Sequence, residues 1–160
     1  LCAVQFAALT GLQLQRRVYD ETNVLFDDLA AGRIALTFNN PTSVLQGARR
    51  GRLRMLAVTS AGESELVPGV PPLALSVPGY EYQSWVGVLA PAATPADVQE
   101  ELHEAVQDAA NSLAVRQGLH ELGLEPVDES AAWFGRHLQR EWTRWRDFAL
   151  AHRAEFPGLR

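Results

Sequence analysis

Residues 18–40, "VYDETNVLFDDLAAGRIALTFNN", decide how the chain folds. Val18 and Tyr19 close the run "LQLQRRVY" from Leu12, which alternates in part and predicts a strand. Thr22 or Asn23 can then cap a short helix over "VLFDDLAA", because a side-chain oxygen there accepts a free first-turn N–H. Gly32 offers the left-handed backbone that ends a helix. "IALTF", 34–38, reads as the next strand, and Asn39 and Asn40 favour a turn. Strand, helix and strand on short links predict right-handed βαβ units and a mainly parallel sheet.

The pattern continues on both sides. Residues 1–10 read as the tail of a helix stopped at Gly11. Pro41 suits the first turn of a helix ending near Gly51, and "LRMLAVTS", 53–60, is the most strand-like segment of this half. Residues 61–80 are rich in Pro and Gly and read as an ordered but irregular crossing. A further strand, Ser84 to Ala90, stops at Pro91. Thr94 can cap the next helix, with Pro95 at its first position, Asp97 in its first turn, and Val98, Leu102, Val106 and Ala109 at helical spacing. A second helix runs from Ser112 to Leu122 and ends at Gly123; "LEPV" follows as a short strand. Ser130 caps a long last helix with Phe134, Leu138, Trp142, Trp145 and Ala149 along one face.

Composition bounds the function. At 160 residues and 47% hydrophobic, the chain suits one globular domain or two small lobes. A net charge of −5 argues against a general nucleic-acid surface, since neutralising phosphates needs basic residues. All of the basic side chains are arginines. The lone Cys2 excludes an internal disulfide framework and reads as a small buried thiol on a helix. No run reaches the ~18 apolar residues of a membrane span, and no signal peptide is visible. The chain starts without Met inside an apolar pattern, which reads as a segment of something longer.

No nucleophile, base or phosphate-loop pattern stands out. His137 and Glu141, four apart on a helix, are two potential metal ligands without a third; surface hydrogen bonding is the better reading, and no metal or cofactor is expected. The basic cluster "GARRGRLR", 47–54, reads as the solvated end of a helix. The candidate ligand site comes from topology, because ligands in open α/β sheets sit beyond the carboxyl ends of strands. Those ends run from Tyr19 to Asn23 and from Asn39 to Thr42, each leading into a helix start whose N–H groups suit a carboxylate or phosphate. Thr22, Asn23, Asn40, Thr42 and Ser43 can add side-chain hydrogen bonds; simple capping explains each one singly about as well.

Several segments together resemble the Bug family, the tripartite tricarboxylate transporter receptors. They are "VYDETNVLFDDLAAGRIALTFNN", "GRLRMLAVTS", "VPGVPPLALSVPGYEYQSWVGVLAPAATP" and "LGLEPVDESAAWFGRHLQREWTRW", and the resemblance runs from about Leu9 to about Ala151. It implies an α/β, two-lobed periplasmic-binding-protein-like architecture of type II, a Venus flytrap closing on a small carboxylate-bearing solute. The resemblance covers the later half of such a protein, with the amino-terminal part missing. On that basis residues 1–83 are expected to form the second ligand-binding lobe, lacking its start, and residues 84–160 the crossing strand and the helices returning to the first lobe.

By the same resemblance Tyr19 matches the family's strand-end tyrosine, Phe38-Asn39-Asn40 its aromatic-acidic-polar strand end, and Ser84-Trp85 the entry to the return strand. Glu21 stands where Gly is usual, Asn39 where Asp is common, Glu63 where Arg is usual, Pro72 where Thr is usual and Leu75 where Glu is usual. Glu21 near an anion-binding helix start would repel a carboxylate, so the ligand differs from the typical one or is lost. The implied function is a periplasmic, non-enzymatic binding protein that delivers a small organic acid or related metabolite to membrane permease subunits. The alternatives are the effector-sensing domain of a transcription regulator, a degenerate homologue that binds nothing, and an α/β enzyme. Exposure of Trp85, Val86, Trp142 and Trp145 on a first-lobe-facing surface would favour dimerisation.

Overall fold

A computed structural model describes residues 1–156. Its elements are α1 (Cys2–Thr10), α2 (Thr22–Ala30), α3 (Pro41–Arg49), a 3₁₀ turn (Leu73–Leu75), α4 (Ala96–Asn111), α5 (Leu113–Glu121), α6 (Ala131–Ala151) and a 3₁₀ turn (Arg153–Glu155). The described residues separate into two compact units: 1–87 with 117–125, and 88–116 with the residues from 126 on.

Helix ends follow the local chemistry. Gly11 takes φ 70° and its N–H returns to the Ala7 carbonyl, which closes α1. Pro41 opens α3 behind Asn40, whose side chain accepts from Thr42 N–H. Ser130 caps α6 by accepting from Trp133 N–H. Two expected caps differ. The N-cap of α2 is Glu21, in extended backbone, and Thr22 is already helical, so neither Thr22 nor Asn23 closes the helix. At α4 the cap position is Pro95, and Gln99 instead reaches back to the Thr94 carbonyl at 2.7 Å.

The expected strands are the larger difference. Among the described residues, 12–19, 34–38, 85–90 and 124–127 form no ladder. The single bridge pairs Val58 in parallel with Pro72. It is carried by Val58 N–H to Pro71 O (2.9 Å) and Leu73 N–H to Val58 O (2.8 Å), since Pro72 has no N–H to give. Strand-like patterning is a property of one segment, whereas a ladder needs a second backbone in register. Residues 53–60 find one in the Pro-rich crossing; the other segments find none.

In the first unit the crossing also supplies the core. Tyr80 is 1% exposed, and Val67 and Val77 are buried with it. Phe6 of α1 and Phe38 pack around Tyr80, with ring centroids 5.9–6.4 Å apart across the trio. Such spacing is that of favourable aromatic pairs. Burial pushes the Tyr80 phenol well above its ordinary range, and its hydroxyl donates to the Cys2 carbonyl. Cys2, half-buried, also has its thiol pushed up by burial.

The second unit is helical and thinly buried. Ala149 is its buried apolar residue among those described. Phe148 of α6 meets Trp145 edge to face and stacks on His152, the residue after the helix, and Gln107 of α4 donates to the Glu129 carbonyl. Val98, Leu102 and Val106 do share one side of α4, yet all are exposed. Trp85, Val86 and Trp142 are exposed as expected, but Trp145 is half-buried. Its indole N–H donates to Glu141 at 2.8 Å, and Arg144 lies over its ring.

Candidate functional site

The structure gathers the candidate residues into two groups in the first unit. The first is built around Asp28, a carboxylate on the inward side of α2 that is only 6% exposed. Tyr19 donates its hydroxyl to Asp28 Oδ2 at 2.7 Å. Arg33, just past the helix end, holds Oδ1 through Nε at 2.7 Å and Nη2 at 2.6 Å. Arg17 Nη1 lies 3.1 Å from Oδ2, and the guanidinium sits over the Tyr19 ring at 5.2 Å. A buried charge is stable only when its oxygens are filled, and here donors fill both.

Electrostatics follow from these contacts. The Tyr19 hydrogen bond, then that from Arg33, hold the Asp28 carboxyl below its ordinary range. Partial burial, then the same hydrogen bond to Asp28, push the Tyr19 phenol up. Asp28 therefore stays ionised and Tyr19 stays protonated at neutral pH. Two arginines face one carboxylate, and their side chains are 58% and 56% exposed, so the cluster presents net positive charge to solvent.

The second group surrounds Asn40 at the start of α3. Its Oδ1 accepts from Thr42 N–H at 2.9 Å and from the Thr42 hydroxyl at 2.6 Å. Its Nδ2 donates to the Leu122 carbonyl at 3.4 Å, and Asn39 Oδ1 accepts from Asn40 N–H. Gly123, at φ +75°, lies so close that a Cβ there would meet Asn40 Oδ1 at 2.7 Å. Asn40 thus staples the start of α3 to the turn after α5. No hydrogen bond among the described residues links the two groups.

The remaining candidates have separate places. Thr22 and Asn23 are exposed in the first turn of α2, Ser43 is half-buried in α3, Ser84 is exposed, and Trp85 is 43% exposed. Sequence reading missed Asp28, Arg17 and Arg33. Two signals could have found Asp28 and Arg17, though not Arg33: Asp28 shares the inward side of α2 with Leu25, and Arg17 and Tyr19 are two apart in an alternating run. Elsewhere, Arg52 pairs with Asp27 and Arg49 lies in the last turn of α3, the solvated helix end expected of the basic cluster. His137 stacks on Trp133 while Glu141 serves Trp145 and Arg144. Among the described residues, no group of three or more His, Cys, Asp or Glu is placed to hold a metal, and no helix is long and apolar enough to cross a membrane. A shallow depression on α6, lined by Arg136, Gln139, Arg140, Thr143 and Arg144, is open and comes from one helix. It lacks the enclosure of a small-molecule site.

Comparison with known proteins adds the wider frame. Residues 1–152 match the family model described as tripartite tricarboxylate transporter family receptor. A protein from the clcB–clcD intergenic region of Pseudomonas knackmussii is 29% identical over 155 residues, covering 96% of this chain and 92% of that protein. BugT of Bordetella pertussis is 29% identical over 140 residues, covering 84% of this chain but 43% of BugT. Among solved structures, R. palustris Rpa4515 with adipate superposes with TM-score 0.72 at 32% identity, over 92% of this chain and 50% of that one. The periplasmic binding protein BugD gives TM-score 0.70 at 22% identity, over 94% and 51%. The fold is therefore part of that of the two-lobed α/β periplasmic binding proteins, since the chain spans about half the length of those solved structures.

Proposed function

The chain belongs to the tripartite tricarboxylate transporter receptor family, and on that premise we propose that it acts as a periplasmic solute-binding protein for a small carboxylate-bearing metabolite. It is a binding protein and not an enzyme, and it hands its solute to the permease subunits of a tricarboxylate-type transporter. The observation that carries the reading is the Asp28 cluster. Arg17 and Arg33 outnumber the one carboxylate they hold, and a guanidinium has more N–H donors than the contacts each makes to Asp28 among the described residues. Tyr19 holds the same carboxylate, three residues before the start of α2. The adipate in the Rpa4515 structure, at 32% identity, supports the choice of a carboxylate.

Titrating small mono-, di- and tricarboxylates against the protein, by calorimetry or thermal shift, tests this. At least one should bind. Replacing Arg17 or Arg33 with Ala should weaken it about tenfold, since a charge-assisted hydrogen bond is lost in each case. Silence across a broad panel of acids would remove the reading.

A further inference from the structure

We propose that residues 52–57 form an open strand edge that takes an extended acidic segment of a partner protein by strand addition. The proposal concerns a surface of the first unit that holds none of the Asp28 cluster, so it stands apart from solute capture.

Residues 53–57 run without turn or bend, and exposure alternates along them. Arg52, Arg54 and Leu56 are exposed, while Leu53, Met55 and Ala57 between them are half-buried. That alternation is the mark of a strand with one covered face. The strand is paired only at its end. Val58 donates to Pro71 O and accepts from Leu73 N–H, and the Thr59 carbonyl accepts from Tyr82 N–H. These bonds leave from opposite edges, because successive residues of an extended chain turn their N–H and C=O to opposite sides. Ahead of Pro71 the crossing folds into a turn of its own, closed by Val70 N–H to Val67 O at 3.2 Å. The backbone of 53–57 is left with no hydrogen bond among the described residues. An unpaired edge of this kind is a template for another chain.

Charge decides the occupant. Arg49, Arg50, Arg52 and Arg54 are all exposed, and no acidic residue occurs between Asp28 and Glu63. Arg49 sits in the last turn of α3, where a cation complements the helix end. Arg52 pairs with Asp27, but both side chains are about half exposed, and a surface pair of this kind exchanges readily for another carboxylate. Arg50 and Arg54 enter no ion pair among the described residues. A second copy of the chain would bring arginine against arginine along the edge, and like charges facing across strands destabilise the pair. A segment alternating carboxylate and apolar side chains fits both faces. Its carboxylates meet Arg52 and Arg54, and its apolar side chains extend the covered face of Leu53, Met55 and Ala57. Main-chain hydrogen bonds then supply affinity, and the alternate side chains supply selection.

The probe is a fluorescein-labelled peptide alternating glutamate and valine, followed by fluorescence anisotropy as the full chain is added. It should bind, and more weakly as salt rises. Methylating every backbone nitrogen of the peptide keeps its charges but removes its N–H donors, so affinity should fall about tenfold or more. A peptide alternating lysine and valine should not bind. Arg50→Ser combined with Arg54→Ser should weaken the glutamate peptide about three- to tenfold, as for exposed ion pairs. The methylated peptide leaves the protein unaltered, so it decides even if that variant fails to fold. Equal binding of the methylated peptide reduces the surface to charge alone and overturns the proposal. So does silence of the glutamate peptide, or equal binding of the lysine peptide. Vesicles of phosphatidylcholine with phosphatidylglycerol offer negative charge without a strand. Capture by them through Arg50 and Arg54, with the peptide silent, makes the partner a membrane surface and overturns the proposal. A dimer in sedimentation that the peptide dissociates gives the edge to a second copy, and likewise overturns it.

Discussion

The two units invert the usual link between regular structure and burial. Residues 61–80, nearly without helix or strand, hold Val67, Val77 and Tyr80, each buried, with Val67 and Tyr80 the most buried of the hydrophobic core described. Residues 96–111 and 131–151 are long, clean helices, yet Val98, Leu102, Val106 and Trp142 stand exposed on them. Regularity here comes from caps and propensity, which are local. Burial comes from how the chain returns on itself, as when Val58 bonds to both neighbours of Pro72 and Tyr82 N–H bonds to Thr59 O at 2.9 Å.

That contrast can be broken experimentally, starting where the effect is largest. Tyr80→Ala should cost about 3–5 kcal/mol in denaturant unfolding, as for other buried aromatics cut to Ala. Trp142→Ala, of similar bulk but 70% exposed, should stay within about 0.5 kcal/mol. Comparable losses at both positions would mean that burial does not separate the units. Next is Gly123→Ala, which combines a left-handed backbone with the approach to Asn40 and should cost about 2 kcal/mol or more. Pairing it with Asn40→Ala relieves the clash, so the double variant should lose less than the sum of the singles in a mutant cycle. Ser130→Ala, which removes the cap of α6, should cost about 1 kcal/mol and lower helical circular dichroism without touching the first unit.

The smallest effect is set by pH. Asp28 has a lowered pKa in the fold, so its contribution is complete above the ordinary carboxylate range and fades as pH falls through the folded value. Tyr19 has a raised pKa, so its contribution is complete below the ordinary phenol range and fades as pH rises past it. Stability followed from neutral pH downward should show an acid-side loss that Asp28→Asn removes.

Helix boundaries were legible because Gly11, Pro41, Ser130 and Gly123 act through their own backbone. The irregular nature of 61–80 was legible for the same reason, through its prolines and glycines. Its role as the core of the first unit was not, because aperiodic residues leave no stripe to read. Strand pairing was not legible: 53–60 forms only the bridge at Val58, and to the crossing rather than to a neighbouring strand, since a ladder depends on a second segment that no local pattern specifies. In the candidate site, Tyr19 and Asn40 were legible as polar residues beside helix starts. Their partners were not, because Asp28 hides among the acidic residues of "FDDLAA" and the Leu122–Gly123 turn lies 82 residues from Asn40.

The aromatic residues are also segregated in a way that bears on how the molecule can be watched. Tyr19, Tyr80 and Tyr82 all belong to the first unit, while Trp133, Trp142 and Trp145 belong to the second and Trp85 lies at the edge of the first. Indole emission excited at long wavelength thus follows mainly the second unit, and phenol absorbance follows the first. A single solution therefore carries two built-in optical reporters, and any gap between their melting curves measures directly whether the two units unfold as one.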